Sequence, residues 1–152
     1  MSSRRFQRGD MNPVLADVDG SHLIEAYDLL WQRGDFLAFS YQTLAELVHE
    51  NHAASSFAAR FLGVALDRFP RGEAGQIRVA TTGIFCYEAP RGGTWRLGQL
   101  VAAIGNQTID LAAHVNQAIA RVVRGGPGSH EAHVSICSTV MAAGIWDRRR
   151  AA

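Results

Sequence analysis

Residues 94–124 carry the longest run that keeps a helical hydrophobic period, and that run constrains the fold more than any other feature. Leu97, Val101, Ile104, Leu111, Val115, Ile119 and Val122 follow one another at steps of three, four or seven, which lines them along one stripe of an α-helix. Gln99, Asn106, Gln107, Asp110, His114, Gln117, Arg121 and Arg124 fall on the other side, so the pattern predicts a half-buried helix whose polar face meets solvent, a cavity or a partner. Thr94 stands as an N-cap after Arg91-Gly92-Gly93. Gly125-Gly126-Pro127-Gly128 stops the helix, because glycine accepts the left-handed C-cap conformation and proline cannot continue a helix. Gly105-Asn106 is the weak point, where the segment divides into two helices if it breaks at all.

The rest of the chain is read against that helix. Residues 1–20 show no period of either kind and read as an irregular arm. Ser21 caps a first helix ending at Arg33, and Ser40 caps a long one reaching Phe69, which Pro70 terminates. Residues 76–88 are rich in β-branched and aromatic side chains and predict a strand bulged at Gly83. Residues 132–146 alternate Val134, Ile136, Ser138 and Val140 against His133, Ser135, Cys137 and Thr139, a second strand or half of a hairpin. The order α-α-β-α-β implies an α+β fold, a single two-layer domain over residues 21–146 with helices on one face of a small β-sheet. It is flanked by the arm at 1–20 and a basic C-terminal tail at 147–152. The crossover helix would make its two strands parallel neighbours. Two strands make a poor sheet, which points to a homodimer joined through a sheet edge or the aromatic segment at residues 31–41. No internal repeat is visible.

Composition narrows the chemistry. The chain of 152 residues, 47% hydrophobic and 19% charged, fits one globular domain. All fifteen basic residues are arginine, a bacterial-like bias of the kind GC-rich genomes encourage. The absence of lysine excludes a Schiff-base enzyme, a P-loop lysine and a lysine general base. Six arginines lie in the two tails, while nine face twelve carboxylates between residues 11 and 146. The body therefore carries no basic face, and nucleic acid is not an expected partner. No apolar stretch reaches membrane-spanning length and no signal core follows the basic N-terminus, so the expected location is cytoplasmic, without membrane association.

Few constellations carry chemistry. His49-Glu50-Asn51-His52 and His130-Glu131-Ala132-His133 repeat His-Glu-x-His, but the spacing departs from the zincin motif, and on a strand His130 and His133 point to opposite faces. They are weak metal candidates, and no metal or other cofactor is expected. Glu46-Leu47-Val48-His49 lacks the second motif of a diiron bundle. Cys86 and Cys137 read as reduced structural thiols. The catalytic candidates are Cys86 as nucleophile, His114 as base and Asp110 as its orienter. The polar face of the 94–124 helix, with Gln107, Asp110, His114, Gln117 and Arg121, joins Trp95 and Tyr87 as a candidate surface for a ligand or partner. These features favour a small soluble binding or regulatory protein acting through protein–protein contact. A small enzyme or ligand pocket built on Cys86, His114 and Asp110 is the rival.

Overall fold

The computed structural model describes residues 6–33, 37–46, 53–126 and 130–141. These residues form eleven strands and one α-helix, which corrects the α+β expectation. The chain is mostly β, and no helix runs through 94–124. That segment holds instead β8 (Leu100–Gly105), β9 (Thr108–Leu111), a 3-10 turn (Val115–Gln117) and β10 (Ala120–Gly125). The helical stripe is split by the structure: Ile119 and Val122 are buried, whereas Leu97 is 81% and Ile104 48% exposed.

The remaining strands are β1 (Phe6–Arg8), β2 (Pro13–Val18), β3 (Leu29–Gln32), β4 (Ala38–Ser40), β5 (Phe61–Ala65), β6 (Gly75–Ala80), β7 (Thr82–Glu88) and β11 (Glu131–Cys137). β1 and β2 lie in the stretch read as an irregular arm, and β3 lies inside the expected first helix. The expected helix from Ser40 to Phe69 reduces to a 3-10 turn (Tyr41–Glu46) and α1 (Ala53–Ala59), followed by β5. Both β3 and β5 are buried on both faces. Leu30 points into one core, while Leu29 and Trp31 point into the other. Such strands show no alternation and read as continuous apolar runs, which periodicity cannot tell from a helix.

Two sheets result, and they repeat one topology. β2 to β6 are ordered β2-β6-β5-β3-β4, and β7 to β11 are ordered β7-β11-β10-β8-β9. Adding five to each number of the first order gives the second. Each unit brings its first and third strands together in parallel, through the bridge Asp17–Leu37 in the first and the pair Glu88–Thr108 in the second. The second unit thereby closes as a five-stranded barrel. All other ladders are antiparallel, including β7 with β11, where the sequence suggested parallel neighbours. Both units place a 3-10 turn between their third and fourth strands, and the first unit inserts α1 there as well. The expected single strand at 76–88 is two strands, β6 and β7. They belong to different units and part at Thr81, just before Gly83, whose φ of 128° suits glycine.

One core, with Ala16, Leu30, Ala65, Ile77 and Val79, fills the first unit. The other fills the barrel with Phe85, Tyr87, Val101, Ile109 and Val134, then continues to the outer face of the first unit through Leu29, Trp31, Phe39 and Tyr41. Phe57 of α1 closes this junction against Tyr41 and Phe61, with ring centroids 4.7 and 5.5 Å away. The aromatic segment proposed for a dimer contact is therefore buried within its own chain at Trp31, Phe39 and Tyr41. Eleven strands also remove the shortage that suggested a second subunit.

Polar bonds tie the units together. Leu29 N–H donates to Gln107 Oε1, Gln107 Nε2 donates to Ser40 Oγ at 3.2 Å, and Tyr87 Oη donates to Tyr27 O at 2.7 Å. Gln107 and Tyr27 hold left-handed φ angles of 58° and 69°, which non-glycine residues keep only where surrounding contacts dictate them.

Candidate functional site

The strand alternation of the barrel decides which side chains leave its core. On β11, Ala132, Val134 and Ile136 face inward, so His133 and Ser135 face out. On β7, Phe85 and Tyr87 face inward, so Ile84 and Cys86 face out. Register then builds rows across the outer wall. Arg124, His133 and Cys86 stand opposite one another on β10, β11 and β7, and Arg121, Ser135, Ile84 and Arg8 form the next row, which extends to β1. A bulge between Val122 and Arg124 brings Arg124 level with His133. β1 pairs with only the first part of β7, at Ile84 and Phe85, and β9 takes the same strand further along, at Glu88. The short β1 thus extends the sheet beyond the first part of β7 and supplies one side of a cleft.

That cleft has a volume of about 390 Å³ and is lined by Gln7, Arg8, Ile84, Val123, Arg124 and His133. Among the described residues, two guanidiniums and no carboxylate line it. Arg8 and Arg124 are exposed, whereas His133 is only 4% exposed. Its Nε2 is buried and has no hydrogen-bond partner among the described residues; leaving such a buried polar group unsatisfied costs roughly 1–3 kcal/mol. Burial pushes the imidazole below its usual pKa, Arg124 pushes it the same way, and Glu131 opposes both. At neutral pH the ring is therefore neutral, with Arg124 as its register neighbour on β10 and its Nε2 unpaired among the described residues.

The sequence-derived candidates are dispersed. Cys86 has His133 as its register partner, while His114 is exposed in the β9–β10 connection, just before the 3-10 turn. Asp110 accepts from Arg91 Nε at 2.7 Å and from Leu111 N–H at 2.7 Å, so its Oδ1 is engaged away from His114. Arg91 also lies over the Trp95 ring, 5.2 Å from its centroid, and Trp95 Nε1 is buried without a partner among the described residues. Gln117 Oε1 accepts from Ala113 N–H at 3.1 Å, and Arg121 Nη1 donates to Gly98 O at 2.8 Å. Gln107 and Tyr87 act at the junction of the units. Cys137 is buried, which raises its thiol pKa and keeps it unreactive.

Of the metal candidates, His49 and His52 lie outside the described residues, His130 is exposed in a turn, and His133 faces the cleft. Among the described residues no group of three or more His, Cys, Asp or Glu side chains converges on a metal position. None of their helices is long and apolar enough to cross a membrane. Sequence reasoning missed Gln7, Arg8, Ile84, Val123 and Arg124. The alternation that puts His133 and Ser135 on one face was visible, but the pairing of β11 with β7, β10 and β1 was not.

No protein-family model matches the chain, and no curated protein matches it. Among solved structures it is similar to the head fiber gp8.5 N base in bacteriophage phi29, with 13% identity and a TM-score of 0.47 over 82% of this chain and 93% of that one. That likeness is too distant to carry a functional reading.

Proposed function

We propose that the protein is a binding module whose ligand enters the cleft between β1 and the outer wall of the barrel. The observation that supports this is the buried Nε2 of His133, unpartnered among the described residues, in a cleft that Arg8 and Arg124 also line. Isolated polar groups of this kind are rare in folded proteins unless water, an ion or a ligand satisfies them. An amide-resolved NMR screen of small molecules tests it. Hits should move the amides of residues 7, 8, 84, 123, 124 and 133 together, and hits that gather around Trp95 instead would move the site elsewhere.

A thiol enzyme is the second reading, since Cys86 faces His133 across the ladder. A reactive thiolate needs a nearby cation such as imidazolium, whereas burial and Arg124 hold His133 toward its neutral form. Cys86 is itself buried. Binding is therefore the better fit. Iodoacetamide should alkylate Cys86 slowly and at the same rate after His133→Gln. Fast labelling lost in that variant would favour the enzyme.

A further inference from the structure

We propose that the cleft takes a phosphate monoester on a small apolar body, an assignment that rests on the binding reading above. Three features of the lining specify it. Arg8 and Arg124 supply two positive charges, with no carboxylate among the described residues of the lining, which matches the −1.5 to −2 charge of a phosphate monoester near pH 7. Guanidinium donors suit oxyanions through paired N–H bonds. His133 Nε2, 4% exposed as a residue and otherwise unsatisfied, offers a further hydrogen bond to a terminal oxygen. The Arg124–His133–Cys86 row places that imidazole directly beside one guanidinium, and Arg8 approaches from β1 next to Ile84.

Size and polarity then separate an ester from the free ion. A bare phosphate has roughly the bulk of three waters at about 30 Å³ each and leaves most of the 390 Å³ cleft empty. The remaining wall includes Ile84 and Val123, apolar side chains that are partly exposed in the ligand-free chain. They give an organic body a surface to cover while its phosphate meets the arginines. Gln7 adds an amide at the β1 side.

The test is calorimetric titration of the full chain at low salt with phenyl phosphate, inorganic phosphate and phenol. Phenyl phosphate should bind saturably, at least tenfold tighter than inorganic phosphate, and phenol should not bind. Arg124→Gln, an exposed position with an unchanged melting temperature expected, should weaken phenyl phosphate at least tenfold. Arg8→Gln should weaken it by a smaller factor, because it sits on a three-residue edge strand. Equal affinity for phenol and phenyl phosphate would overturn the anion while leaving a binding cleft. Inorganic phosphate bound as tightly as the ester would reassign the site to the free ion. Phenyl phosphate bound equally by wild type and Arg124→Gln would overturn the proposal. If none of the three probes is bound, the phosphate assignment falls, and the NMR screen then decides whether the binding reading falls with it.

Discussion

The two five-stranded units share a strand order but not a surface. Matched on the inward pairs Ala65–Val79 and Ala120–Ile136, Gln76 of the first unit corresponds to His133 of the second, and Asp17 corresponds to Cys86. Thr81 and Ser138 then fall at the same offset, and both are buried. In the first unit the outer row is closed upon itself: Gln76 Nε2 donates to Asp17 Oδ1 at 3.0 Å in an exposed setting. Nearby, Arg78 pairs with Asp67 at 2.7 Å and Arg68 with Glu25 at 3.0 Å. In the second unit β1 adds a strand beside β7, and among the described residues His133 Nε2 has no hydrogen-bond partner and no salt bridge engages Arg8 or Arg124. One topology thus serves as a neutralised scaffold in one copy and as a charged, unsatisfied cleft in the other. The strand order sets the fold, and the side chains on the outward faces set the charge and polarity that each copy presents.

The comparison breaks most visibly if the units are energetically independent. Phe85→Ala in the shared core should cost about 3–5 kcal/mol and Ile77→Ala in the first unit about 2–5 kcal/mol. Both should move a single urea transition seen alike by fluorescence and far-UV circular dichroism. Two separable transitions would mean that the polar and aromatic junction does not couple the copies. A smaller effect is expected at the junction itself. Gln107→Ala removes the acceptor of the Leu29 N–H, with Leu29 fully buried, and the donor to Ser40, so it should cost roughly 1–3 kcal/mol. Denaturation at equilibrium measures it, and a change within error would show that the buried amide finds another partner.

The smallest effect sharpens the contrast between the outer rows. The folded-state pKa of His133 lies below its ordinary value of about 6.5, through burial and Arg124 and against Glu131. Above the ordinary value both folded and unfolded chains hold it neutral, and its contribution to stability is fully present. As pH falls below about 6.5 the unfolded chain binds the proton first, so stability declines until the folded-state pKa is passed. Stability curves from pH 7.5 to 4.5 should show that decline in wild type and a shallower one in His133→Gln. Gln76→Ala, in the equivalent row of the first unit, should change stability within about 0.5 kcal/mol and leave the pH dependence alone.

Part of this was legible in the sequence. The β-branched character of 76–88 and the alternation after Ala132 mark real strands, and Gly105-Asn106 marks a real interruption, which proves to be a hairpin connection. The false helix at 94–124 arose because Ala102 and Ala103 are both buried beside Val101. With small apolar residues on both faces of β8 the period of two disappears, while Val101, Ile104, Leu111 and Val115 keep steps that suit a helix. The duplication left no sequence signal because it is carried by non-local pairing, and the matched positions Gln76 and His133, or Asp17 and Cys86, share no chemistry. The cleft depends on the same pairing: Arg8 and Arg124 lie far apart in sequence and meet only across β1, β7, β11 and β10. In the sequence His133 reads only as a weak metal ligand, because its neighbours on adjacent strands are set by non-local pairing.

The most direct test of the central claim is the ¹⁵N chemical shift of the two His133 imidazole nitrogens at pH 7, measured without and with saturating phenyl phosphate. A neutral ring is predicted in the free chain, with the Nε2 resonance moving on saturation as it gains a phosphate oxygen and the histidines outside the cleft, such as His22 and His114, unchanged. A ring already protonated without ligand, or an Nε2 resonance that stays in place at saturation, would contradict the account.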